Sequence, residues 1–144
     1  MAADLSRRLV EIVNALPLKP GLRVLEIGCG PGAAAREIAR RVEGGYVLGI
    51  DRSEKAIAQA RAGSRHEIAW GRLSFRVASI EGFQLEAGEK PYDIAFAVRV
   101  GALDGRHPEI QDEAMHRIAR ALRPGGRLFL DGGNPLQEVG VGAV

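Results

Sequence analysis

The chain has 144 residues, of which 46% are hydrophobic and 26% charged, with a formal net charge of +2. That length suits one domain, 1–144, with a real core and is too short for two. The charge is small and the arginines are scattered, which argues against the basic stripe of a nucleic-acid-binding surface. One cysteine, Cys29, excludes an internal disulfide and any multi-cysteine metal site. The three histidines are separated and no acidic cluster stands beside them, so no metal is expected. No apolar run approaches the ~20 residues that span a membrane. The N-terminus also lacks a continuous apolar signal core, and the expectation is a cytoplasmic protein with no membrane partner.

Leu5, Leu9, Ile12, Val13 and Leu16 recur at helical spacing, which predicts a helix over 4–16 with Asp4 as its N-cap. Pro17 and Pro20 end it. A core of alternating strands and helices then runs from 22 to 131. The first strand is 22–28, and Pro31 opens a helix whose inner face carries Ile38, Ala39 and Val42 before Gly44 and Gly45 stop it. The second strand is 46–51. Ser53 caps a helix burying Ala56, Ile57 and Ala60, and Gly63 ends it. Residues 72–78 alternate as a third strand, and 92–98 form a near-continuous apolar run expected of a strand covered on both faces. Pro108 opens a helix with Ile110, Ala114, Ile118, Ala121 and Leu122 inward, and Pro124-Gly125-Gly126 turns the chain into a last strand, 127–131. Such alternation implies right-handed crossovers and a parallel sheet.

The stretch VLEIGCGPG, 24–32, joins a buried strand to a glycine-rich turn of the kind that binds anions and nucleotides. Gly28, Gly30 and Gly32 allow a sharp turn with no Cβ between backbone and ligand. Glu26 is an acid inside an otherwise apolar strand, and a buried carboxylate is costly unless something pairs with it. Such an acid beside such a turn points to a ligand bearing an amine or hydroxyls. Gly28, Gly30 and Ala33 also satisfy the dinucleotide fingerprint, which leaves a nicotinamide-binding domain open.

LEIGCGPG, followed by LGID at 48–51, YDIAFA at 92–97 and LRPGGRLFL at 122–130, resembles the class I S-adenosylmethionine-dependent methyltransferases in order and spacing. The resemblance runs from about residue 20 to 131. It implies an α/β fold, a Rossmann-like three-layer αβα sandwich with parallel sheet order 3-2-1-4-5. It implies S-adenosyl-L-methionine as cofactor, S-adenosyl-L-homocysteine as product, and methyl transfer to an O, N or C atom of a small-molecule substrate, with positioning as the main catalytic device. Some members of this superfamily bind the cofactor without methylating anything, so a non-catalytic binding module or partner subunit is the alternative.

The resemblance also assigns positions. Glu26 stands near the amino acid moiety of the cofactor, and the turn Gly28, Cys29, Gly30 and Gly32 with the helix start offers backbone N–H groups to its carboxylate. Asp51 accepts from both ribose hydroxyls, since a carboxylate has an oxygen for each, and Arg52 lies along the adenine. Many members carry an acid where Ser79 stands; here Ser79 accepts a hydrogen bond, Ile80 packs on the ring, and Glu81 supplies some of the missing charge. Val98 begins the strand end that faces the methyl group and substrate. Arg99 there either holds an anionic substrate group or forms an internal salt bridge. Asp104 and His107 are the nearest general-base candidates, because transfer to an oxygen or amine needs a proton removed. No Asn-Pro-Pro-Tyr or Asp-Pro-Pro-Tyr signature of base methylases occurs. His66 and His116 read as surface positions.

The family commonly continues past its fifth strand into a helix and two antiparallel strands. The tail 132–144 reads as too short for these, which leaves the fifth strand as an exposed edge. A second copy or a partner protein is expected to cover it.

Overall fold

The computed structural model describes residues 5–141. Helix α1, Arg7–Ala15, is capped by Ser6, whose Oγ accepts the Leu9 N–H at 3.2 Å. The expected cap, Asp4, lies outside the described residues. Strand β1, Arg23–Ile27, leads through the glycine turn into α2, Ala33–Arg41. Gly32, left-handed at φ 89°, is the N-cap of α2, so Pro31 precedes the helix instead of opening it. After β2, Tyr46–Asp51, the Ser53 Oγ accepts the Ala56 N–H at 3.1 Å and starts α3, Glu54–Ala62, as expected. A short helix α4, Arg65–Ala69, which the sequence reading lacked, carries His66 on the surface. Then come β3, Leu73–Val77, a single 3-10 turn at Ile80–Gly82, and β4, Tyr92–Ala97. Helix α5, Pro108–Ala121, has its proline in the first turn, where a missing N–H does no harm.

The sheet has order β3-β2-β1-β4, continuing into β5, Leu122–Asp131, and β6, Leu136–Val139. Its first five strands are parallel, and β6 is antiparallel to β5. Two expectations are corrected here. Leu122 is buried but extended, opposite Tyr92, while Ile94 pairs with Arg127. Residues 123–126 therefore bulge out of β5, with Gly125 at φ 81°, and do not separate helix from strand. The tail is also long enough for one antiparallel strand: Leu128–Asp131 pair with Val139–Leu136 through a tight reversal, so β5 is not an open edge.

Register places the functional end. Ile27 lies opposite Ile50 and Ala97, and Asp51 opposite Val77. The segments that leave β1, β2, β3 and β4 thus emerge at one level, on the carboxyl side of the sheet where the strand order reverses.

β1 is buried on both faces. Val24 joins a cluster with Ile12, Ile38, Ile57 and Phe96 beneath α1, α2 and α3. Leu25 and Ile27 face the other way, into a cluster with Leu48, Ile118 and Leu128 beneath α5. Each such side chain, fully buried, contributes about 1.5–3 kcal/mol. At the opposite end of the sheet, the Arg23 guanidinium lies 4.8 Å from the Tyr46 ring centre and 4.9 Å from that of Tyr92, and donates to the Pro91 and Lys90 carbonyls. Tyr92 Oη donates to Glu89 at 2.6 Å, and Arg76 pairs with the same carboxylate at 3.2 Å. Among the described residues, no helix is long and apolar enough to cross a membrane, and no group of ligating side chains could hold a metal.

Candidate functional site

Glu26 follows Val24 in the alternation of β1, so its side chain points to the face covered by α2. It is 5% exposed, and its Oε1 has no hydrogen-bond partner among the described residues. The Ala35 backbone N–H, in the first turn of α2, donates to this carboxylate. Burial raises the Glu26 pKa to about 8; the Asp51 charge adds to the effect, while the Ala35 N–H and the Arg36 charge oppose it. A carboxyl in this position gains most from a cation brought to its open oxygen.

The turn after β1 is wired to β2. The N–H groups of Gly28 and Cys29 both donate to the Ile50 carbonyl, at 2.8 and 2.9 Å. The Gly30 N–H donates to Asp51 Oδ2 at 2.9 Å, and the Gly32 N–H to the Cys29 carbonyl at 3.1 Å. These four donors were expected to face a ligand carboxylate, and they are instead used inside the turn. The first-turn N–H groups of Ala33 and Ala34 are what α2 leaves for an outside acceptor, since no side chain caps it. Gly28 and Gly30 are left-handed, at φ 73° and 54°. A Cβ on Gly28 would come within 2.8 Å of Val100 Cγ2, whereas one on Gly30 would meet nothing within 4 Å. Cys29 is buried in the α2-side core, and burial pushes its thiol well up, which disfavours the thiolate a nucleophile needs.

A cleft of about 240 Å³ opens at this end of the sheet. Gly28 and Asp51 form its floor, with Arg52 beside them. Ser79, Ile80 and Glu81, after β3, form one wall; Ile80 is 3% exposed. Val98, Arg99 and His107 form the other. Asp51 Oδ1 accepts the Ser53 N–H at 2.9 Å, so each of its oxygens already holds one backbone donor and has a lone pair to spare.

Asp104 does not line this cleft. It borders a neighbouring hollow with Asp131 and Gln137, and its carboxylate accepts from Arg106 Nε at 2.8 Å. That bond holds the Asp104 carboxyl below the usual range, which makes it a poor proton acceptor. His107 is the N-cap residue of α5, 51% exposed, with Nδ1 3.5 Å from Glu109. Arg99 forms no ion pair among the described residues, so the internal salt bridge considered for it is not made. Arg106 was missed at the sequence level. It lines the cleft and reaches back to donate to the Arg99 carbonyl at 2.8 Å, across seven residues of irregular chain that no periodicity reveals.

A methyltransferase domain family matches residues 24–126. The chain belongs to that family. Among its relatives is the ubiquinone biosynthesis O-methyltransferase of Rhizobium johnstonii, 39% identical over 118 residues, covering 81% of this chain and 43% of that one. The chain thus spans less than half the length of this curated relative. The S-adenosylmethionine-dependent methyltransferase from Geobacter sulfurreducens, solved with S-adenosyl-L-homocysteine, superposes with a TM-score of 0.65 at 28% identity, over 85% of this chain and 46% of that one. The [4+2]-cyclase SpnF superposes with a TM-score of 0.69 at 29% identity, over 85% and 43%. Within the family segment lie all of the cleft-lining positions named above, from Gly28 to His107. The methyltransferase fold read from the sequence is therefore the fold of this chain.

Proposed function

We propose that the chain binds S-adenosyl-L-methionine in the cleft and directs its methyl group to an O, N or C atom of a small-molecule acceptor. The observation that carries this reading is the open Oε1 of Glu26, a buried acceptor beside a turn with room at Gly30 for a ligand. An α-ammonium group satisfies it, and the Ala33 and Ala34 N–H groups suit the neighbouring carboxylate. Asp51 takes the ribose hydroxyls on its spare lone pairs. Ile80 lies against the adenine, Ser79 and Glu81 meet its polar edge, Arg52 covers it from the rim, and Val98 faces the reacting end. Bound there, the cofactor supplies an electrophilic methyl carbon. The name of the 39% identical relative favours oxygen as the acceptor atom.

Within this reading the chain does its work by placing groups. His107, half exposed at the start of α5, takes the acceptor proton. Asp104 acts as a positioning residue, because its carboxylate fixes Arg106 and Arg106 fixes the Arg99 carbonyl. A lone free thiol fits the reducing cytoplasm.

Calorimetric titration with S-adenosyl-L-methionine and S-adenosyl-L-homocysteine tests the reading. Micromolar binding of both, weakened in Glu26→Ala and Asp51→Ala, is expected. Absence of binding to the folded wild type would overturn it. The likeness to a [4+2]-cyclase supports a second reading, in which the cofactor is held without methyl transfer. That reading expects tight binding, with slow cofactor hydrolysis and no turnover of any acceptor.

A further inference from the structure

Arg99 is the one non-glycine residue with a left-handed backbone among the described residues, at φ 55°. That conformation is strained for a side-chain-bearing residue and persists only where its surroundings impose it. Here two side chains impose it. Asp131 Oδ1, at the end of β5, accepts the Arg99 N–H at 3.0 Å. Arg106 Nη2 donates to the Arg99 carbonyl at 2.8 Å. Both clamps are anchored in turn, Asp131 by Arg8 at 3.2 Å and Arg106 by Asp104 at 2.8 Å.

This arrangement spends the acids of the neighbourhood without spending the Arg99 guanidinium. Asp131 serves the Arg99 backbone and Arg8. Asp104 serves Arg106. Arg99 itself lines the cleft and pairs with no acid among the described residues. The acids of the cleft, Asp51 at the end of β2 and Glu81 in the turn after β3, stand on one side, while Arg99, Arg106 and His107 stand on the β4–α5 side. A guanidinium that never loses its charge, on a backbone fixed at a conformational cost, suits a planar or tetrahedral oxyanion bound through two N–H groups.

We propose that the cleft takes an acceptor bearing a carboxylate or phosphate, and that Arg99 is the specificity residue that binds this oxyanion. The word acceptor rests on the methyl-transfer reading above; the anion site rests on Arg99 and its two clamps.

The test follows the arginine Nε–Hε resonances by NMR while acetate, inorganic phosphate or chloride is added at constant ionic strength. Each titration is run with and without S-adenosyl-L-homocysteine. The Arg99 resonance is expected to shift and saturate with acetate or phosphate and not with chloride. Saturation by one oxyanion alone assigns the carboxylate or the phosphate. Arg99→Gln, followed through the neighbouring Arg106 Nε–Hε resonance, should weaken this binding by about tenfold. Arg99→Gly, which suits the left-handed backbone while removing the charge, should do the same, and Arg127→Gln on the far strand should not. Non-saturating shifts shared by all surface arginines, or unchanged affinity in both Arg99 variants, would overturn the proposal. Failure of the homocysteine compound to bind wild type would count against the cofactor reading alone, because the anion titrations are read independently of it.

Discussion

Asp51 holds Gly30. The acid that ends β2 accepts the N–H of the middle glycine in the turn after β1, at 2.9 Å, while its other oxygen accepts the Ser53 N–H that precedes α3. One side chain therefore sets the shape of the glycine turn and the start of the next helix, and still borders the cleft. Substitution at Asp51 should be felt in both roles. Asp51→Ala is expected to weaken S-adenosyl-L-homocysteine binding at least tenfold and to lower stability by about 1–2 kcal/mol, as loss of a helix-start acceptor does. Calorimetry and urea unfolding measure the two effects. Binding loss with no stability loss would mean that the backbone bonds are dispensable.

Glu26 predicts a pH dependence with a definite sign. Its folded pKa, about 8, is raised above the ordinary 4.5, so the protonated form is favoured in the fold. The stability this group contributes is fully present below about pH 4.5 and is lost as pH rises through about 8, in total roughly 3–5 kcal/mol. Glu26→Gln should flatten the stability profile between pH 5 and 8.5, which thermal unfolding would reveal. A ligand ammonium favours the ionised carboxylate, so cofactor binding should release a proton and tighten from about pH 6 to 8. Titrations in buffers of different ionisation enthalpy count that proton.

The glycines of the turn should behave unequally. Gly30→Ala places a methyl in open space and costs only the left-handed strain, about 1 kcal/mol. Gly28→Ala adds a collision with Val100 Cγ2 at 2.8 Å and should cost more, pushing the segment after β4 away from the turn. Gly30→Ala should impair cofactor binding more than stability, and Gly28→Ala should impair both. Equal effects would argue against open ligand space at Gly30.

Arg40 and Glu67 give a prediction remote from the cleft. Glu67 is 4% exposed and pairs with Arg40 Nη2 at 2.9 Å. Arg40→Ala leaves that charge buried without its guanidinium and should cost about 3 kcal/mol, with cofactor affinity unchanged. Chemical unfolding decides it, and a loss under about 1 kcal/mol would show that water takes over the place of the guanidinium.

Removing β6 tests the outer edge of the sheet. Ending the chain after Gly133 withdraws Leu136 and Val139 from the two cores and unpairs the last residues of β5. Lower thermal stability and concentration-dependent association are expected, read by light scattering against the full chain.

The strands whose apolar runs are continuous were legible in the sequence. Residues 46–51 were read to the residue; Glu26 stood out because it interrupts an apolar strand, and Asp51 because the resemblance places a ribose-binding acid at the end of the second strand. Segments without a pattern were not legible. α4 has five residues, too few to show a period, and β6 has four, behind a Gly-Gly-Asn-Pro stretch that reads as a tail. The bulge in β5 hid behind Pro124 and Gly125, which punctuate a turn and a bulge alike. Ser6 could not be told from Asp4 as a cap, since both residue types serve. The internal use of the turn's N–H groups was also out of reach, because the acceptors of three of the four, Ile50 and Asp51, lie a strand and a helix away.

Arg23, wedged between two tyrosine rings at the far end of the sheet, gives the molecule a division of labour. At that end Arg76, Glu89 and Tyr92 interlock, while at the other the irregular segment 98–107 brings Arg99, Arg106 and His107 to the cleft. Under the proposed function, a search for altered acceptors starts with mutations in that segment and keeps the lock at the other end as a fixed foundation against which every variant is compared.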